Sequence, residues 1–148
     1  MAAPYRIAFT VRWADLDPNG HMRHTAYMDY AAQARLACLA DLGFTLQRFH
    51  TLQLGPILFR EDSRYLHEVR ANERITVTAA AVGQSPNKKH WRIRHQILCD
   101  DGTLACVVDC QGAWFDIVAR RVVPAPPELD AALQKMPKAE DYADFIPR

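Results

Sequence analysis

The spacing of apolar positions changes several times along the chain, and each change marks an element. Residues 5–12 alternate Ile7, Phe9 and Val11 with Arg6, Ala8 and Thr10. That period of two predicts a strand with one buried face. Residues 14–24 keep no period; Pro18, Asn19 and Gly20 supply turn chemistry there. Residues 25–42 take up a helical period, with Thr25 placed as N-cap and Gly43 just past the C-terminus. Of those 18 residues 13 are apolar, so the few polar ones set the geometry. Thr25, Asp29 and Gln33 recur four apart and form one thin polar stripe, Asp41 lies near it, and only Arg35 interrupts the opposite face. A helix this apolar is expected to be central, wrapped by a curved sheet or packed at an interface.

Strand patterns return after residue 53. Residues 54–60 hold an apolar run. In 64–70, Tyr65, His67 and Val69 alternate with Leu66 and Glu68, which predicts a separate strand. Residues 74–82 and 91–98 alternate again, the second most cleanly, with Trp91, Ile93, His95 and Ile97 against Arg92, Arg94 and Gln96. Asp100, Asp101, Gly102 and Thr103 predict a hairpin turn. A long strand over 104–118 is expected to break or bulge at Gly112. Pro124, Pro126 and Pro127 stop the sheet, 128–135 predicts a short helix, and the tail to Arg148 is expected to be peripheral. Consecutive strands with short turns pair antiparallel. The order therefore predicts an α+β fold, one antiparallel sheet curling around one long helix. It is read as a single domain over 1–148, with its core at about 5–122 and an extension over 123–148.

Composition narrows the functional classes. With 148 residues, 49% of them hydrophobic, the chain is long enough to build its own core without a staple. Its 18 basic and 17 acidic residues leave a net charge of +1, which argues against a general nucleic-acid binder. Cys38, Cys99, Cys106 and Cys110 form no C-x-x-C pair and read as buried small hydrophobes, not metal ligands. No signal-peptide core and no membrane-length apolar run are seen, so a reducing cytoplasm is the expected compartment.

Candidate chemistry concentrates in residues 15–27. Asp15 and Asp17 flank Leu16, and Gly20, His21 and His24 follow just before a helix N-terminus. A carboxylate beside unsatisfied helix N–H groups suits addition to a carbonyl: it attacks or activates water while the N–H dipoles hold the oxyanion. Spacing alone reads first as a pair of turn and capping aspartates. A second group, Asn87-Lys88-Lys89-His90-Trp91-Arg92, opens a strand with local positive charge, either to bind phosphate or as a solvated hairpin end.

The segment Asp15-Leu16-Asp17-Pro18-Asn19-Gly20-His21-Met22, followed by Tyr27 and the alanine-rich helix, resembles the D-x-D-x-x-G motif of hot-dog-fold thioesterases. It is most similar to the group of 4-hydroxybenzoyl-CoA thioesterase and general acyl-CoA thioester hydrolases. Ser63-Arg64-Tyr65 through Val69-Arg70 and Glu73-x-Ile75 make a weaker match. The element order agrees over 5–122. The resemblance implies a hot-dog fold with a sheet of about five strands and hydrolysis of an acyl-CoA to free acid and CoA. It places the catalytic carboxylate, nucleophile or general base, on Asp17 and the oxyanion donor on the His24 backbone N–H. It also gives close approach of the loop at Gly20 and a positioning role to His21. Tyr27 and Met28 are expected at the acyl pocket, and Lys88 and Lys89, with Arg92 and Arg121 after them, at the CoA phosphates. It implies no metal or redox cofactor, since the CoA thioester is substrate, and self-association as homodimer or homotetramer with the site at the subunit boundary. Asparagines often stand at the places of Arg23 and His24 in that branch, so any asparagine side-chain role is open. A hot-dog dehydratase using His21 or His24, and a non-catalytic acyl-CoA-binding dimer, remain as alternatives.

Overall fold

The alternating segments do become strands, and their pairing puts the long helix against one face. The computed structural model describes residues 3–148. In order they form β1 (Tyr5–Thr10), a 3-10 turn (Trp13–Asp15), α1 (Ala26–Asp41), α2 (Leu46–Leu52), β2 (Leu54–Tyr65), β3 (Arg74–Gln84), β4 (His90–Leu98), β5 (Leu104–Asp116), β6 (Arg121–Val122) and α3 (Pro127–Gln134). The sheet runs β1-β3-β4-β5-β2, all antiparallel, with two-residue β6 added on β5. Trp91, Ile93, His95 and Ile97 of β4 are buried beneath α1, while Arg92, Arg94 and Gln96 face outward. Ala26, Ala31 and Ala34 let α1 lie close to the sheet and are fully buried. Thr25, Asp29 and Gln33 stay exposed, as the stripe predicts.

The structure differs from the sequence expectations in several places. Thr25 does not cap α1 with its side chain; it is already helical, at φ −73 and ψ −19. Gly43 does take the left-handed conformation at φ 96 and ends the helix. Residues 44–53, which carry no clear period, contain α2, capped by the Thr45 hydroxyl accepting from Arg48 N–H. No separate strand forms at 64–70. β2 continues to Tyr65, the N–H groups of Leu66 and His67 both donate to the Ala105 carbonyl, and the chain then leaves the sheet.

β5 passes Gly112 unbroken. The irregularity lies opposite, on β2, where Leu58 pairs with Gly112 and Arg60 with Gln111, leaving Phe59 as the extra residue. Gly112 is needed for another reason: a Cβ there would sit 2.1 Å from the Ile57 carbonyl oxygen and 2.3 Å from the Trp91 ring.

The tail is not peripheral. Leu129 and Met136 join the core. Residues 137–145 cross β3, with Ala81 N–H donating to the Pro137 carbonyl and Ala143 N–H to the Val82 carbonyl. Gly83 admits this crossing, since a Cβ would meet the Ala143 carbonyl oxygen at 2.3 Å.

Candidate active site

The loop between β1 and α1 is built on a buried carboxylate. Asp15 is 1% exposed. It accepts from Arg12 Nε at 2.9 Å and Nη2 at 2.7 Å, from Arg23 Nη1 at 3.1 Å and from the Tyr30 hydroxyl at 2.5 Å. The Arg12 guanidinium, aided by Tyr30 and Arg23 and opposed by burial, holds it well below the usual carboxylate range. Asp15 therefore orients the loop and lies out of reach of solvent. Arg23, at one of the two places where asparagine is common in the resembling branch, closes this network; its backbone N–H also donates to the Asp15 carbonyl at 2.7 Å.

Asp17 stands in the opposite condition. It is half-buried, and its Oδ1 accepts from Asn19 N–H at 2.9 Å and His21 N–H at 3.2 Å. Oδ2 takes part in neither bond. The backbone closes the same turn: Asp17 N–H donates to the His21 carbonyl at 2.8 Å and Gly20 N–H to the Asp17 carbonyl at 3.0 Å. Gly20 sits at φ 78, which a side chain would strain. One carboxylate oxygen thus fastens the loop while the other takes no part in holding it.

His21 and the segment after β2 hold the loop from its far side. His21 bridges Arg70, Met22 N–H donates to the Val69 carbonyl at 2.7 Å, and His21 Nε2 lies 3.0 Å from Glu68. Leaving the sheet after Tyr65 is what lets this segment reach the loop. His24 is exposed, and its N–H donates to no backbone carbonyl among the described residues. Its own carbonyl accepts from the Tyr65 hydroxyl at 2.9 Å. Tyr27 is buried one helical turn further on, edge-on to Tyr65 at 5.2 Å and 80°. Burial pushes the Tyr27 hydroxyl up to about 12, so it remains a neutral wall. Met28 beside it is half-buried. Tyr65 and Glu68 lie more than 40 residues beyond the loop, and the sequence carries their segment only as a weak strand alternation and the weaker family match over 63–75.

The basic group lies elsewhere. The loop follows the β1 end, where Thr10 pairs with Arg74 at the start of β3; Trp91 pairs with Gln84 at the other end of that strand. Eleven β3 residues therefore separate them, about 33 Å. Lys88 is at φ 62, with Nζ 2.6 Å from Asp130. Lys89 is half-buried. Arg92 donates to Gln111 at 3.1 Å, lies 3.9 Å over the Phe145 ring, and lines an outward trough of about 600 Å³ with Arg60, Arg64 and Arg94. The structure brings Asp17, Gly20, His21, His24 and Tyr27 together and leaves Lys88, Lys89 and Arg92 apart from them.

The four cysteines are free and buried, and burial pushes each thiol up to about 11. Among the described residues, no three His, Cys, Asp or Glu side chains are gathered as metal ligands, and no helix is long and apolar enough to cross a membrane.

Comparison with known proteins gives three findings. A family model described as thioesterase-like superfamily matches residues 11–133. A protein of Agrobacterium fabrum, L-carnitine dehydrogenase/betainyl-CoA thioesterase, is 29% identical over 126 residues, which are 85% of this chain and 25% of that protein. The chain thus spans about a quarter of that relative. Solved structures share the fold. A hypothetical protein of Staphylococcus aureus in complex with CoA superposes with a TM-score of 0.83 at 19% identity, over 99% of this chain and 96% of its own. A 1,4-dihydroxy-2-naphthoyl-CoA thioesterase from Synechocystis gives 0.80 at 13% identity, over 90% and 97%.

Proposed function

The chain belongs to the thioesterase-like superfamily, and from that premise we propose that it hydrolyses an acyl-CoA thioester to the free acid and CoA. The observation that carries this reading is Asp17: one oxygen held by two backbone N–H groups and, among the described residues, the other unengaged, in the loop that leads into α1, with the His24 N–H just ahead of that helix donating to no backbone carbonyl there. Either Asp17 Oδ2 attacks the thioester carbonyl, expelling CoA thiolate and leaving an acyl anhydride that water cleaves, or it takes a proton from the water that attacks. In both routes the oxyanion forms against the His24 N–H and the positive end of α1. The proposed chemistry calls on no group beyond chain, substrate and water. Betainyl-CoA enters the substrate panel through the Agrobacterium relative.

The separation of Lys88 and Lys89 from Asp17 favours a site completed by a second copy, whose lysines would meet the CoA held by the first. β2 offers an edge for such pairing, since among the described residues it pairs only with β5 and it exposes Leu58 and Phe59.

Thiol release from a panel of acyl-CoAs tests the reading. Asp17→Asn, folded as the parent by circular dichroism, should lose about a hundredfold or more in kcat. Undiminished release would remove Asp17 from the reaction. A single turnover in ¹⁸O-water detects the anhydride route when water cleaves at the aspartyl carbonyl, since the first label then enters Asp17 and not the product acid, and hydroxylamine trapping of the acyl-enzyme detects it when water cleaves at the acyl carbonyl. The pairing of His21 with Glu68 supports a second reading, a dehydratase or hydratase, which would hydrate an enoyl-CoA and release no thiol.

A further inference from the structure

Arg35 is the one charged residue on the buried side of α1, and the thioesterase reading leaves it unused. Its Nη1 lies 3.0 Å from His95 Nε2 and 3.3 Å from Cys110 Sγ, and the guanidinium carbon is 5.7 Å from the Trp91 ring centre. His95 is fully buried, and its Nδ1 lies 2.9 Å from the Thr78 carbonyl oxygen. A carbonyl only accepts, so Nδ1 carries the proton and Nε2 is a neutral acceptor. Every partner of Arg35 is thus uncharged. No carboxylate lies within ion-pairing distance of it among the described residues, and its Nε and Nη2 donate to nothing there. Arg35 is half-buried, with its Nη1 turned to the core and its Nε and Nη2 left open to an acceptor from outside the chain.

The strand register shows what Arg35 faces. Residues directly opposite in an antiparallel pair share a face. Tyr65 pairs with Cys106, Ser63 with Val108 and Glu61 with Cys110. Cys110 touches Arg35, so Tyr65, Ser63 and Glu61 form a strip on the helix side of β2. The strip begins at the candidate site, where the Tyr65 hydroxyl meets the His24 carbonyl, and ends level with Arg35. Both walls measure the same span. The four steps along β2 from Glu61 to Tyr65 cover about 13 Å, and the nine steps along α1 from Ala26 to Arg35 cover about 13 Å. Midway, Ser63 Oγ is shielded from solvent and has no hydrogen-bond partner among the described residues.

We propose that Arg35 reads the far end of the acyl group, and that the substrate carries an oxygen acceptor there, a carboxylate or a hydroxyl, remote from the thioester. This rests on the thioesterase reading and names its substrate class: a medium-length acyl chain, spanning about 13 Å or about ten bonds, with a polar terminus. Glu61, on the same strip, offsets the charge of Arg35 and sets the balance between an anionic and a neutral terminus.

The test compares decanoyl-CoA, ω-hydroxydecanoyl-CoA and ω-carboxynonanoyl-CoA, with shorter homologues, on the full-length protein. The wild type should favour one polar-ended member over its plain homologue by about tenfold or more in kcat/KM, mostly through KM. Arg35→Met should collapse that ratio, and Arg35→Lys should keep part of it if the terminus is anionic. Calorimetric binding of the product acids, sebacate and ω-hydroxydecanoate against decanoate, gives the same comparison without turnover. Thiol release from no member, with tighter binding of a polar-ended acid that Arg35→Met abolishes, would sink the thioesterase reading and spare this one. Preference for the plain alkyl chain by the wild type, in turnover or binding, overturns the role of Arg35, as does a ratio that Arg35→Met leaves intact.

Discussion

Two carboxylates one residue apart end in opposite environments, and the difference comes from what each can reach. Asp15 collects two arginines and a tyrosine; Asp17 collects two backbone N–H groups on one oxygen and keeps the other. The sequence showed the pair and the turn around it, but the partners that separate their roles lie up to 15 residues away on α1. His95 carries a similar lesson. Alternation placed it on the buried face of β4, and only packing revealed the arginine against it. Burial, and then Arg35, lower His95 from 6.5 to about 3. The unfolded chain binds a proton near 6.5 where the folded one does not, so stability should fall as pH drops from about 6.5 toward 3, by about 1.4 kcal/mol per unit. The lowered Asp15 adds its own loss only below its ordinary 3.8. Urea titrations of the wild type and His95→Gln across pH 7 to 4 check this: the variant should lose the slope, and an equal slope would assign it elsewhere.

At the scale of elements, periods of two and of 3.6 were legible and interruptions were not. The alternation in β4 and the polar stripe of α1 translate directly into buried and exposed faces. At Gly112 the glycine was visible but its reason was not, because the Trp91 ring over it and the Ile57 carbonyl come from neighbouring strands. Gly112→Ala should cost about 1–3 kcal/mol by overpacking. Gly55→Ala is the control, since a Cβ there meets only the Ile117 side chain at 3.9 Å. Chemical denaturation of the two variants should separate them clearly, and equal midpoints would contradict the packing argument. The strand expected over 64–70 dissolved for a related reason: alternation persists there, but past Tyr65, opposite Cys106, the N–H groups of Leu66 and His67 both turn onto the single Ala105 carbonyl and the ladder ends.

At the scale of the molecule, the sequence outlined one α+β domain with a long central helix, and the structure and comparisons agree on the hot-dog arrangement. What it did not convey was distance. Lys88 and Lys89 and the Asp17 loop read as parts of one CoA site, yet about 33 Å of β3 lies between them. A second copy is the proposed resolution. Sedimentation should find the 16.8 kDa chain as a dimer or larger, and Phe59→Lys on the open β2 edge should shift it toward monomer with loss of thiol release. A wild-type monomer with full activity would end that proposal.

The crossing of the tail over β3 also has a bearing on synthesis. β3, β4 and β5 are neighbours in the chain and pair locally, so their pairing needs no residue beyond 116. The backbone groups of Ala81 and Val82 that the tail takes up wait for residues 137–143. A ribosome adding about 5–20 residues per second therefore leaves this patch of β3 uncovered for a second or more. During that interval the nascent sheet presents free hydrogen-bonding groups to any other unfinished strand.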